Sequence, residues 1–242
     1  IDAENNGIIG SLRVELRGAR KNAYCYIRGE IDMENALEIR NLKKQYDSFL
    51  LDNINITLPK GYIMGFIGEN GAGKSTTIKL ILDLIKKDGG EISIFGKKLE
   101  DSEIEIKEHI GVVLDESCFP DNLNLSDISL ILSNIYKTWK EDEFKKYTDK
   151  FSLPYKKAVK DFSRGMKMKL SIAVALSHDA RLLIMDEPTS GLDPIVRDEI
   201  LDVFMNFIQN DAHSIFLSSH IISDLEKICD YITFIHGGKI LF

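Results

Sequence analysis

Gly68-Glu69-Asn70-Gly71-Ala72-Gly73-Lys74-Ser75 is the stretch on which the reading of this chain turns. It follows the apolar run Tyr62 to Ile67 and leads into Thr76-Thr77-Ile78-Lys79-Leu80-Ile81, whose apolar spacing is helical. A strand, a glycine-rich loop and a helix opening on Lys-Ser form the context in which this spacing cradles phosphate. The glycines let the backbone curl so that successive N–H groups point inward at an anion. The helix N-terminus adds its positive end to the same anion. Lys74 is placed to reach the β- and γ-phosphates and the Ser75 hydroxyl to ligate Mg²⁺. Gly68, Glu69, Asn70, Gly71, Ala72, Gly73, Lys74, Ser75 and the adjoining Thr76 are therefore the candidate contacts of a nucleoside triphosphate.

Working outward, short apolar runs alternate with longer amphipathic ones. Strands are expected at Leu37 to Leu42, Ile54 to Leu58, Tyr62 to Ile67, Glu91 to Phe95, Ile110 to Leu114, Leu182 to Met185, Ser214 to Leu217 and Tyr231 to Ile235. Helices are expected at Lys74 to Lys87, Arg164 to Ser177, Pro194 to Gln209 and Ile221 to Cys229. Pro194, right after Asp193, is a strong helix-start signal. Strands alternating with helices imply an α/β fold with a mainly parallel sheet covered on both faces. Leu125 to Asp161 lacks strand character and reads as a mainly helical insertion.

A phosphate loop alone does not name an enzyme, because unrelated activities share it. Leu182-Leu183-Ile184-Met185 is a buried-strand run that ends in Asp186-Glu187. A carboxylate at such a strand end suits Mg²⁺, which points to Asp186. Glu187 is then placed to orient or deprotonate an attacking water.

Composition bounds the rest. The 242 residues are 44% hydrophobic and 29% charged, as in a globular protein with a substantial core. No apolar run reaches the ~18 residues of a membrane span. Cys25, Cys118 and Cys229 are far apart and form neither a disulfide framework nor a zinc pattern, so a reducing compartment is expected. The net charge of −7 argues against a general nucleic-acid binder. Lys137 to Lys169 is nonetheless locally basic, either a solvated helical face or a surface for an anionic partner. His109, His178, His213 and His236 share no ligand spacing and read as structural or surface residues. Trp139, Tyr136, Phe144, Tyr147 and Phe151 fall near helical spacing, as the core of the helical insertion would. Residues 1–32 carry two β-like runs, Ser11 to Leu16 and Tyr24 to Ile31, and read as a vector-derived leader or N-terminal extension.

Together these residues resemble the nucleotide-binding subunit of the ATP-binding cassette (ABC) superfamily. Asp161-Phe162-Ser163-Arg164-Gly165-Met166 is similar to its signature motif, Ser190-Gly191-Leu192-Asp193 to the loop that couples two sites, and His220 to its switch histidine. Tyr46 sits where the family stacks an aromatic on adenine. The resemblance spans Leu37 to Phe242, and the variant signature looks like those of bacterial exporter-type cassettes with separate membrane subunits. It implies a phosphate-loop NTPase cassette over residues 33–242, with an N-terminal antiparallel β part and a helical subdomain at about 116–165.

The resemblance further implies ATP and Mg²⁺ as cofactors and an ATPase activity. The partners it implies are a second ABC ATPase subunit, identical or different, and integral membrane permease subunits. The location it implies is cytoplasmic, peripheral on the inner face of the cell membrane. Catalysis would fall to Lys74, Glu187 and His220, and Mg²⁺ to Ser75 and Asp186. Ser163, Gly165 and Asp193 would meet the nucleotide held by the facing subunit. Two motifs depart from the family pattern. Asp115-Glu116 stands where a glutamine is usual, which makes Asp115 a third candidate metal donor, and in the signature Arg164 stands where a first glycine is common and Met166 where glutamine is. A soluble cassette acting on ribosomes or DNA and a phosphate-loop small-molecule kinase are the competing readings. The first usually needs tandem cassettes or long coiled coils, and the second leaves Ser163 to Met166, Asp193 and His220 unexplained.

Overall fold

The computed structural model describes residues 34–115 and 119–241. The β-like runs before Met33, Cys25, Glu116, Cys118 and Phe242 lie outside the described residues.

Two sheets share the chain. The strands Asn35–Tyr46 (β1), Phe49–Pro59 (β2), Gly89–Ile94 (β4) and Lys97–Lys98 (β5) make an antiparallel sheet in the order β2-β1-β4-β5. The second sheet contains Ile63–Ile67 (β3), Ile110–Val113 (β6), Leu182–Asp186 (β7), Ser214–Ser219 (β8), Tyr231–His236 (β9) and Lys239–Ile240 (β10). Its order is β10-β9-β3-β8-β7-β6, parallel throughout except for the β9–β10 hairpin. The helices are Lys74–Ile81 (α1), Glu103–Glu108 (α2), Leu125–Ile135 (α3), Glu141–Lys150 (α4), Arg164–Ala175 (α5), Pro194–Phe207 (α6) and Ile222–Ile228 (α7).

The central strands read as continuous apolar runs because both of their faces are covered. Successive side chains go to opposite sides. Ile63 and Ile67 join one core with Leu183, Met185, Ile215 and Leu217, beneath α5, α6 and α7. Met64 and Phe66 join the other with Leu182, Ile184 and Phe216, against α1 and the antiparallel sheet. Helices α3 and α4 occupy the stretch read as an insertion. Leu125, Ile128, Phe144 and Phe151 are buried there, and Trp139 packs on Phe144 with ring centroids 5.3 Å apart.

Helix α1 is shorter than its pattern suggested, ending at Ile81 rather than Lys87. Asp83 takes a left-handed conformation (φ 53°), its N–H bonds to the Leu80 carbonyl, and the Leu84 N–H bonds to the Lys79 carbonyl. That double closure is a helix stop, with aspartate in the place glycine usually fills. Strand β1 is longer than expected because a bulge at Asn41 (φ 50°) hides its second half from period-2 reading. The Asn55 side chain accepts a bond from the Asn41 N–H at 2.9 Å and fixes that bulge.

Helix α5 lies so close to β6 that a Cβ on Gly111 would stand 2.4 Å from Leu183 Cδ2 and 2.7 Å from the Ala175 carbonyl oxygen. A backbone oxygen cannot step aside as a side chain can. Gly111→Ala is expected to destabilise the fold by about 2 kcal/mol through overpacking. An unchanged urea midpoint would show that α5 has room to retreat.

Candidate active site

Strand order alone assembles the site. β8 lies between β3 and β7, with Ile67 opposite Ser219 and Asp186 opposite Ser218. The carboxyl ends of these strands carry the glycine-rich loop, Asp186-Glu187 and His220, so all three emerge at one edge, where open α/β sheets bind ligands.

The loop is braced from three sides. A Cβ on Gly68 would collide with the Ile235 carbonyl at 2.5 Å, so only glycine fits beside β9. The Gly238 N–H donates to the Ala72 carbonyl at 3.0 Å. On the third side Phe49 Cζ and Leu51 Cδ1 come within about 3 Å of where a Cβ on Gly73 (φ 113°) would stand. Gly71 (φ 83°) has open space around it and needs glycine for its backbone alone.

Lys74 is buried, and its Nζ donates to the Gly68 carbonyl at 2.6 Å and the Glu69 carbonyl at 3.3 Å. The ammonium is folded back over the mouth of its own loop. It also lies 3.4 Å from Glu187 Oε1. The other Glu187 oxygen meets His220 Nδ1 at 2.7 Å. Glu187 thus bridges the loop lysine and the histidine after β8, in a left-handed conformation (φ 51°) that non-glycine residues seldom take. Asp186 is buried, and its Oδ1 accepts a 2.5 Å bond from the Ser218 hydroxyl. The same hydroxyl accepts from the Glu187 N–H at 3.1 Å. Ser218 therefore fixes both acids, a role the sequence pattern did not signal.

Ser75 and Asp186 form a hard oxygen set of the kind Mg²⁺ takes, one an exposed hydroxyl at the loop and the other a buried carboxylate with one oxygen already oriented. Asp115, the third expected donor, is engaged elsewhere: its Oδ1 accepts a 2.6 Å bond from Arg164 Nη2. Tyr46 ends β1 directly across from Phe49, partly exposed, with the Lys44 ammonium 5.7 Å from its ring centre. Since Phe49 touches the Gly73 position, the tyrosine sits on the hairpin that flanks the loop.

Ser163 and Asp193 are helix caps in this subunit. The Ser163 hydroxyl accepts from the Met166 N–H, and the Asp193 carboxylate from the Ile195 and Val196 N–H groups. Gly165 follows in the first turn of α5. Among the described residues, no hydrogen bond or ion pair joins Ser163, Gly165 or Asp193 to Lys74 or Glu187.

Of the histidines set aside, His178 is a core residue. It stacks on Tyr136 at 4.2 Å between the Val174 and Ile110 carbonyls, and burial lowers its pKa toward the neutral imidazole. His213 stacks on Phe207, and His109 meets the Asp179 carbonyl. His236 differs, since its Nδ1 is 3.0 Å from Glu69 Oε1 in the glycine-rich loop. Cys229 is packed against Gly65, and burial pushes its thiol pKa up, which leaves it inert.

A lysine in a backbone nest, two strand-end acids and a histidine on one parallel-sheet edge define a phosphate-loop nucleoside triphosphatase. The family model for "ABC transporter" matches residues 51–190. The bacitracin transport ATP-binding protein BcrA of Bacillus licheniformis is 39% identical over 212 residues, 86% of this chain and 69% of that protein. The lantibiotic transport ATP-binding protein SrtF of Streptococcus pyogenes is 37% identical, over 85% of this chain and 89% of that protein. A solved ATP-binding subunit of an ABC transporter superposes with a TM-score of 0.76 at 30% identity, covering 85% of this chain and 88% of its own. The chain belongs to the ABC transporter family, as an ATP-binding subunit with ATPase activity. Among the described residues no helix is long and apolar enough to cross a membrane.

Two substitutions separate binding from turnover. Lys74→Ala is expected to abolish ATP binding, because the β/γ-phosphate charge loses its fixed counter-charge; full affinity in equilibrium titration would refute the loop assignment. Ser218→Ala is expected to keep ATP affinity but lower the hydrolysis rate about tenfold or more, as losing the partner that orients a functional carboxylate does elsewhere. An unchanged rate would mean that Asp186 and Glu187 are held without it.

Proposed function

We propose that two such subunits dock head to tail, each closing one Mg·ATP between its own glycine-rich loop and the α5 N-terminus of the other. The observation that carries this reading is Gly165. A Cβ there would make only ordinary contact, 3.7 Å from Val196 and 3.9 Å from Leu192. Glycine inside a helix costs about 1 kcal/mol relative to alanine. Among the described residues nothing calls for it, which supports an approach by something outside the subunit. Ser163 and Asp193 are exposed on the same side, next to the exposed apolar Ile195.

In this reading the loop amides and Lys74 bind the triphosphate, and the Lys74 ammonium leaves the Gly68 carbonyl for the phosphate oxygens. Glu187 accepts a proton from the attacking water at a carboxylate oxygen, and His220 holds that carboxylate in line. Tyr46 lies under the adenine. Ser75 and Asp186 hold Mg²⁺, which supplies neutralisation of the phosphate charge. The facing subunit's Ser163 hydroxyl and first-turn amides complete the γ-phosphate cradle, at the positive end of a helix. Most of the catalysis is positioning and charge neutralisation.

Closure and reopening of the pair drive membrane-embedded permease subunits, which puts the chain on the cytoplasmic face of a membrane as a peripheral component. The names of the relatives, bacitracin and lantibiotic transport proteins, support an antimicrobial-peptide cargo.

The Glu187→Gln protein tests the sandwich by light scattering on size exclusion. It is expected to be monomeric without nucleotide and dimeric with Mg·ATP. Adding Gly165→Ala is expected to keep the monomer as stable, or slightly more so, while abolishing the ATP-dependent dimer. Dimers that form equally well with alanine at 165 would remove α5 from the site.

A further inference from the structure

Arg164 and Asp115 are two of the departures noted above, and the fold brings them together. Arg164 Nη2 lies 2.6 Å from Asp115 Oδ1 across 49 positions of sequence, with both side chains about half exposed. The guanidinium also lies over Gly191, where a Cβ would meet Nη1 at 3.0 Å and where φ is +67°. One side chain therefore touches the loop after β6 and the loop before α6, from the first helical position of α5.

That position is a poor one for a cation as far as stability goes. Helix N-termini favour acids, and the first turn of α5 contains none. Lys167 follows on the same helix, 3.8 Å from Asp121, and Lys169 pairs with Glu199. These two lysines each have an acid against them, and the anion found against Arg164 is the Asp115 carboxylate. An exposed pair of this kind is weak. Guanidinium binds phosphate oxygens in bidentate fashion and more strongly.

We propose that Arg164 is a positioning residue for the nucleotide of the facing subunit, held in reserve by Asp115 in the open subunit. On closure the guanidinium exchanges the carboxylate for the triphosphate, and Asp115 acts as a competitor that sets how much ATP is needed to close the pair. This role rests on the head-to-tail sandwich proposed above.

The test uses the full chain carrying Glu187→Gln and measures the dimer dissociation constant in Mg·ATP by light scattering. Arg164→Leu is expected to weaken the dimer about tenfold or more. Arg164→Lys is expected to recover part of the loss. Asp115→Asn is expected to tighten the dimer about twofold to fivefold, since it removes the competitor. The Asp115→Asn/Arg164→Leu double variant is expected to match Arg164→Leu alone. Effects of opposite sign at the two positions cannot come from a structural brace. If both single variants weaken the dimer alike, the pair is a brace and the proposal is overturned. If the parent dimerises and Arg164→Leu matches it, only the role of Arg164 falls. If the parent stays monomeric at every ATP concentration, the sandwich of two copies falls and this role with it.

Discussion

The placement of β8 between β3 and β7 is the constraint on which the site depends. Its parallel hydrogen bonds set Ser219 beside Ile67 and Ser218 beside Asp186. The three strand ends therefore stop at one edge, and the residues just beyond them have nowhere else to go. Lys74, Glu187 and His220, spread over more than a hundred positions of sequence, meet within hydrogen-bonding reach for that reason. A one-residue slip of β8 would also swap Phe216 with Ile215 and Leu217 between the two cores, so apolar packing on both faces enforces the same register. Stability and function are fixed by one alignment.

The charges at that edge form a chain rather than isolated groups. Glu187 stands between the Lys74 ammonium and the His220 ring, and its backbone is held in an unfavourable left-handed turn by Ser218. Strain of this kind persists only where the surroundings over-determine it. Lys74 bonds its own loop carbonyls and lies 3.4 Å from the Glu187 carboxylate. A triphosphate would replace those weaker partners without moving the backbone, because the nest is already braced by Gly238, Ile235 and the β1–β2 hairpin. Preorganisation is what a phosphoryl-transfer site needs most.

Much of this was legible beforehand, and for identifiable reasons. β3, Leu182 to Met185 of β7 and Ile215 to Leu217 of β8 are apolar runs, as the centres of doubly covered strands are. The glycine-rich loop has a spacing that few other structures require, and Asp186-Glu187 follows a strand of the right kind. What escaped reading depended on single residues in unusual conformations. Asn41 bends β1 and breaks its alternation, and Asp83 stops α1 although the apolar pattern runs on to Ile85. Ser218 lies just past the strand expected at Ser214 to Leu217, and a serine beside a buried acid looks the same in sequence as any other serine. The Asp115–Arg164 contact spans two segments that only the tertiary fold brings together.

The glycines divide by what they answer to. Gly65, Gly68, Gly111 and Gly238 are required by neighbours within the subunit, since a Cβ at each would stand about 3 Å or less from another atom of the same chain. Gly165 has no such neighbour among the described residues, lies in the first turn of a helix where alanine would be better, and sits beside a cation at the wrong helix end. A chain selected only for its own stability would keep neither of these two features. The proposed half-site would account for both, because a bare backbone and a guanidinium are what an approaching phosphate needs. In the head-to-tail pair proposed above, each subunit would carry two half-sites, one at its own sheet edge and one at the α5 N-terminus.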